Sequence, residues 1–166
     1  IIEELKKNGI RIFVDWSDAS PGFKFNEWEL KGVPTRIEVG PRDVESDTVI
    51  IARRDNGEKL SSSRPDLPER IKDILDQIQS NLYNQAKVFR DNNTHSVNTY
   101  VEFKDIIKNG GFVRCGWDGN QETELKIKED TKATIRCIPF NENPKGLTCI
   151  FSGNEAKHEA IFAKSY

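Results

Sequence analysis

The chain has 166 residues, 36% of them hydrophobic and 31% charged, with a formal net charge of -2. That length allows one medium domain or two small ones, and no apolar run approaches the ~20 residues that a bilayer-spanning helix needs. The near-neutral charge excludes a global positive field drawing in nucleic acid, so any RNA site has to be a local patch.

Ile1 opens directly into Glu3, Glu4, Leu5, Lys6 and Lys7, with no signal peptide, and three cysteines make no disulfide framework. We therefore expect a soluble, cytoplasmic protein from a reducing compartment, without a membrane partner. Residues 2–8 read as the tail of a helix closed by Gly9, and residues 10–16, with Ile10, Ile12 and Val14 on one face, as a strand. Pro21 and Gly22 open a short helix carrying Phe25, Trp28 and Leu30, and Gly32-Val33-Pro34 breaks it. Residues 35–39 alternate as a half-buried strand, stopped by a loop at Gly40-Pro41.

Residues 48–53 form a β-rich run, and Asp55-Asn56-Gly57 signals a turn. Lys59 and Leu60 begin a returning strand. Residues 61–65 form a polar break, either a solvated loop or a phosphate cradle. Asp66 caps a long amphipathic helix with Pro68 in its first turn and an apolar stripe of Leu67, Ile71, Ile74, Ile78, Leu82 and Phe89. His95 follows in a polar loop.

A second helix spans residues 99–109, closed by Gly110-Gly111. Strand at 112–115, helix at 120–131 with Leu125 and Ile127, and strands at 134–138, 147–151 and 159–163 follow. The expected class is α/β, in three parts: residues 1–65 as a domain with a mixed sheet flanked by helices, 66–93 as a linking helix, and 94–166 as a small α/β (α+β) domain.

No nucleophile-elbow or phosphate-cradling glycine motif occurs, so no catalytic residue is assigned. Cys115 and Cys137 are read as small core residues. Glu27, Glu29, Lys31, Arg36, Arg42 and Asp43 are left facing outward. An Arg and a Glu on neighbouring elements can together recognise guanine; a solvated charged rim is the other reading. Phe23, Phe25 and Trp28 are read as core rather than as base stackers, and Lys24 and Lys31 as phosphate contacts or plain surface charge.

The ordered run Glu27-Trp28-Glu29-Leu30-Lys31-Gly32-Val33-Pro34-x-Arg36-x-Glu38-x-Gly40-Pro41-Arg42-Asp43 resembles the anticodon-binding domain of the prolyl-tRNA synthetases of archaeal and eukaryotic-like type. The likeness continues through residues 53–59 and 133–140, and through Phe162-Ala163-Lys164-Ser165-Tyr166. It implies a C-terminal piece of such an enzyme, whose catalytic domain and first strand lie upstream. The parent would be a homodimeric class II ligase joining proline to tRNA with ATP and Mg2+. It also implies that Glu29 and Arg36 read the guanines of the tRNA(Pro) anticodon loop, with Asp43 nearby and Arg53, Arg54 and Lys59 on phosphates. Tyr166 would approach the catalytic domain.

Many family members hold a structural zinc with four cysteines. Those positions fall here on Asp118, Thr123, Cys149 and Ser152, so one ligand survives and the zinc is expected to be absent. Gly119 and Gly153 keep the turns. A rebuilt site from Asp118, Cys115, Cys149 and His158 is the alternative. The competing functional reading is a non-catalytic structural or protein-interaction module with no RNA reading of its own.

Overall fold

The computed structural model describes residues 1–164, so the expectation for Tyr166 lies outside the described residues. The chain divides into two compact units, residues 1–86 and the stretch from Lys87 onward. It is α/β, with helices and two open sheets.

In the first unit, α1 (Ile2–Lys7) leads through Gly9, at φ +77°, into an extended segment. Three strands, β1 (Thr35–Glu38), β2 (Thr48–Arg53) and β3 (Lys59–Ser63), pair antiparallel in that order. Ile37, Ile51 and Leu60 align across the sheet on one face. That face meets Leu5 of α1 and Leu67, Ile71, Ile74 and Ile78 of α4 (Leu67–Asn92), which are essentially fully buried. Burying each such side chain contributes about 1.5–3 kcal/mol.

Four local expectations change here. Residues 10–16 form no strand: Ile10 and Ile12 pack against the core, but the segment joins no ladder. Gly40-Pro41 begins a helix, α3 (Pro41–Ser46), because Pro occupies its first turn and Asp43 caps it by accepting from the Gly40 N–H at 2.8 Å. Ser61, Ser62 and Ser63 complete β3, since β2 continues opposite them. The stripe of α4 is buried only as far as Ile78, with Leu82 and Phe89 exposed.

α2 (Pro21–Leu30) buries no residue fully; Phe23 and Leu30 are exposed, so Phe23 is not core. The helix is held instead by Asp15. That carboxylate accepts from the Ser17 hydroxyl at 2.6 Å and the Trp28 indole at 2.8 Å. Ser17 first, and then Trp28, hold its carboxyl far below the ordinary range.

In the second unit, β4 (Thr94–Ser96), β5 (Phe112–Trp117), β7 (His158–Lys164) and β6 (Ala133–Cys137) form a mixed sheet in that order. β4 runs parallel to β5, so His95 lies in a strand rather than a loop; the α5 crossover (Tyr100–Asn109) makes that pairing possible. α6 (Gln121–Thr131) connects β5 to β6. Phe103, Ile107, Ile127, Val113 and Phe162 form the core, with Phe103 and Phe162 edge to face at 5.5 Å. Cys115 is buried, and burial pushes its thiol up to about 12. Cys137, at the end of β6, is exposed, and Leu125 also faces outward.

Residues 147–151 form no strand. They make single bridges and fold into a knuckle closed by Gly153 N–H to Cys149 O at 3.0 Å, with Gly153 at φ +72°. The knuckle sits on β5 where Gly116 leaves room: a Cβ there would lie 2.3 Å from the Thr148 carbonyl oxygen. Gly116→Ala is therefore expected to cost about 1–3 kcal/mol, as overpacking does. Thermal melting followed through Trp117 should show it, and an unchanged midpoint would mean the knuckle moves aside freely.

Candidate nucleic-acid interface

The outer face of the first sheet carries the charges singled out in the sequence. Arg36 and Glu38 are two apart on β1, so they share a face. The register sets Arg36 opposite Ala52 and Ala52 opposite Lys59, which places Arg36 and Lys59 in one row across the small Ala52.

Arg36 is held on three sides. Its Nε donates to Glu38 Oε1 at 3.0 Å, and Nη2 lies 2.9 Å from the same oxygen as an ion pair. Nη1 donates to Glu29 Oε1 at 2.7 Å, reaching α2. The guanidinium lies over the Phe25 ring at 3.7 Å, a cation–π contact. Lys59 donates to the other Glu38 oxygen at 3.0 Å. Partial burial opposes ionisation of Glu38, but the bonds from Lys59 and Arg36 outweigh it and hold the carboxyl below its ordinary value.

The arrangement has a fixed part and a movable part. The side chains of Arg36 and Glu38 are 21% and 24% exposed, whereas that of Glu29 is 47% exposed. Exposed ion pairs contribute only ~0–1 kcal/mol, so Glu29 can leave Nη1 at small cost. Its carboxylate would then accept from an imino or amino edge, while Nη1 donates to an acceptor on the same base. Beside this group lies a depression lined by Trp28, Glu29, Val33, Pro34, Arg36 and Arg54.

The remaining expected residues separate. Asp43 is spent in part on its helix cap. Arg54 is exposed and makes no ion pair among the described residues. Arg53 turns inward: its Nε and Nη2 clasp both oxygens of Asp55 at 3.1 and 2.9 Å, and Nη1 reaches Gln77 of α4 at 3.0 Å. The side chains of Arg53 and Asp55 are 8% and 0% exposed. Arg53, and then Asn81, hold the Asp55 carboxyl below its ordinary value against the effect of burial.

Two contributors escaped the sequence reading. Glu38 appeared there only within the family-like run, with no role assigned; its spacing from Arg36 was the available signal. Phe25 was read as core, yet it is only half-buried and serves as the platform under Arg36.

In the second unit, three of the four positions that the resemblance assigns to a zinc site, Asp118, Thr123 and Ser152, are joined by hydrogen bonds. Asp118 Oδ2 accepts from Thr123 Oγ1 at 3.0 Å and from Ser152 Oγ at 2.7 Å, and Oδ1 accepts from the Asn120 N–H at 3.1 Å. Burial opposes ionisation of Asp118, but bonds from Ser152, Asn120, Thr123 and Cys149 hold its carboxyl below its ordinary value. His158 is not in this group; its Nδ1 faces Glu142 at 3.2 Å. Among the described residues no three His, Cys, Asp or Glu side chains are placed to hold a metal ion, and no helix is long and apolar enough to cross a membrane.

Residues 1–74, which carry the braced Arg36 and Glu38 beside aromatic rings, match the family described as "Anticodon binding domain". Residues 100–166 match "Prolyl-tRNA synthetase, C-terminal". Similar curated proteins include the proline–tRNA ligase of Prosthecochloris aestuarii, 49% identical over 100% of this chain and 36% of the relative. The chloroplastic/mitochondrial proline–tRNA ligase of Arabidopsis thaliana is 44% identical over 99% of this chain and 32% of its own length. That of Acetoanaerobium sticklandii is 45% identical, over 100% and 35%. The chain belongs to the prolyl-tRNA synthetase family, and it spans about a third of the length of the curated relatives it matches.

Proposed function

We propose that this chain selects tRNA(Pro) for a proline–tRNA ligase by reading guanines of the anticodon loop with Glu29 and Arg36. The observation that carries this is the bracing of Arg36 by Glu38 and Phe25, which leaves Glu29 as the exchangeable partner. Arg54 and Lys59 supply cations for neighbouring phosphates, the part of binding that positions without specifying. Splayed loop bases have half-exposed rings nearby on which to stack. The parent protein would activate proline with ATP and Mg2+, act as a homodimer through its catalytic region, and work in the cytoplasm.

The test is a titration with an anticodon stem-loop carrying the two guanines, against a matched hairpin with adenines there, at one salt concentration. Phosphate attraction is common to both hairpins and salt-dependent. A preference of about tenfold or more, the scale of ~1–3 kcal/mol per good base contact, is the expected result. Equal affinity would favour the structural-module reading.

A further inference from the structure

We propose that the C-terminal unit is cross-linked by the Asp118 carboxylate itself, in the place where the family resemblance implies a zinc, and folds independently of metal. The donor set argues this first. Thr123 and Ser152 bring hydroxyls, which are poor zinc ligands but good hydrogen-bond donors to a carboxylate.

Spacing argues it more strongly. Ligands about 2.0–2.3 Å from a tetrahedral zinc stand about 3.3 Å or more from one another. Here Ser152 Oγ lies 2.7 Å and Thr123 Oγ1 3.0 Å from the same Asp118 oxygen. Those are direct hydrogen bonds, with protons where an ion would have to fit. Cys149, buried at 2% exposure, lies in the same knuckle as Ser152.

The cross-link ties what a metal would tie. Asp118 and Thr123 belong to the turn into α6 and its first residues, whereas Cys149 and Ser152 belong to the knuckle. Both turns keep their left-handed glycines, Gly119 at φ +76° and Gly153 at φ +72°. A single anion thus gathers the donors of two loops, and a charged acceptor makes each bond stronger than a neutral one would.

The experiment compares zinc content and thermal melting of the purified chain with Asp118→Asn and with the triple variant Asp118→Cys, Thr123→Cys, Ser152→Cys. The native chain is expected to carry well under half a zinc per chain and to melt at the same temperature with a chelator or with added zinc. Asp118→Asn keeps the shape but is a poorer acceptor, and it should lower the melting midpoint by about 5–10 °C. The triple variant, with Cys149 as fourth thiolate, should take up one zinc and become chelator-sensitive. Half a zinc or more on the native chain with chelator-sensitive melting would overturn the proposal, as would Asp118→Asn melting like the native chain. Should Asp118→Asn not fold, Ser152→Ala decides: it removes one donor, a lower midpoint supports the cross-link, and an unchanged one refutes it.

Discussion

Arg36→Ala is expected to remove most of the preference for a guanine-bearing hairpin, a loss of about tenfold or more, while leaving the domain folded. Deleting the guanidinium takes away the donors aimed at the base edge, and a good bidentate contact accounts for ~1–3 kcal/mol of discrimination. Stability should fall only modestly, because the pair with Glu29 is exposed, where such pairs contribute ~0–1 kcal/mol, and Glu38 keeps its bond from Lys59. Binding to the adenine control should fall only by what one phosphate-proximal charge supplies. Glu38→Gln provides the finer comparison. It keeps an acceptor for Arg36 but removes the charge that braces it, so discrimination should drop partway. A full native preference in Arg36→Ala, with the fold intact, would move the reading of guanine elsewhere on this surface.

Glu29 and Arg36 were visible in the sequence because they sit in an ordered run of turn-forming and charged residues whose spacing is set locally. Proline and glycine fix the ends of α2 and β1, and alternation fixes which face Arg36 and Glu38 share. The elements of α4, α5, α6 and β7 were legible for the same reason: their apolar period matches the structure that buries it. Residues 10–16 and 147–151 show the limit. Residues 10–16 alternate as a strand does and 147–151 are mostly apolar, but a strand also needs a partner ladder, and which segments find one is decided by the whole unit. β4 shows the converse, three polar residues made into a strand by β5 beside them. Burial escaped the pattern too. Phe23 and Leu30 look like core in a helical rhythm, yet α2 is tied down by Asp15 through hydrogen bonds, so its apolar residues stay outside.

Arg53 and Arg54 are neighbours in sequence and should behave as opposites. Arg54→Ala is expected to weaken binding equally for guanine and adenine hairpins and to reduce the slope of log affinity against log salt by about 0.7, the effect of one phosphate contact on a single strand. Its melting temperature should stay put, as for surface substitutions generally. Arg53→Ala should instead destabilise the first unit by about 2 kcal/mol. It leaves the covered Asp55 carboxylate with only Asn81 and cuts the link from the hairpin turn to Gln77 of α4. At temperatures where it is folded, its salt slope should match the native one. The physical reason is geometric: Arg53, the last residue of β2, points to the same face as Ile51, which α4 covers, whereas Arg54 opens the following turn and meets solvent. Were Arg53→Ala to flatten the salt slope and leave melting unchanged, Arg53 would have to turn outward when RNA binds, and Asp55 would lose its role as its permanent partner.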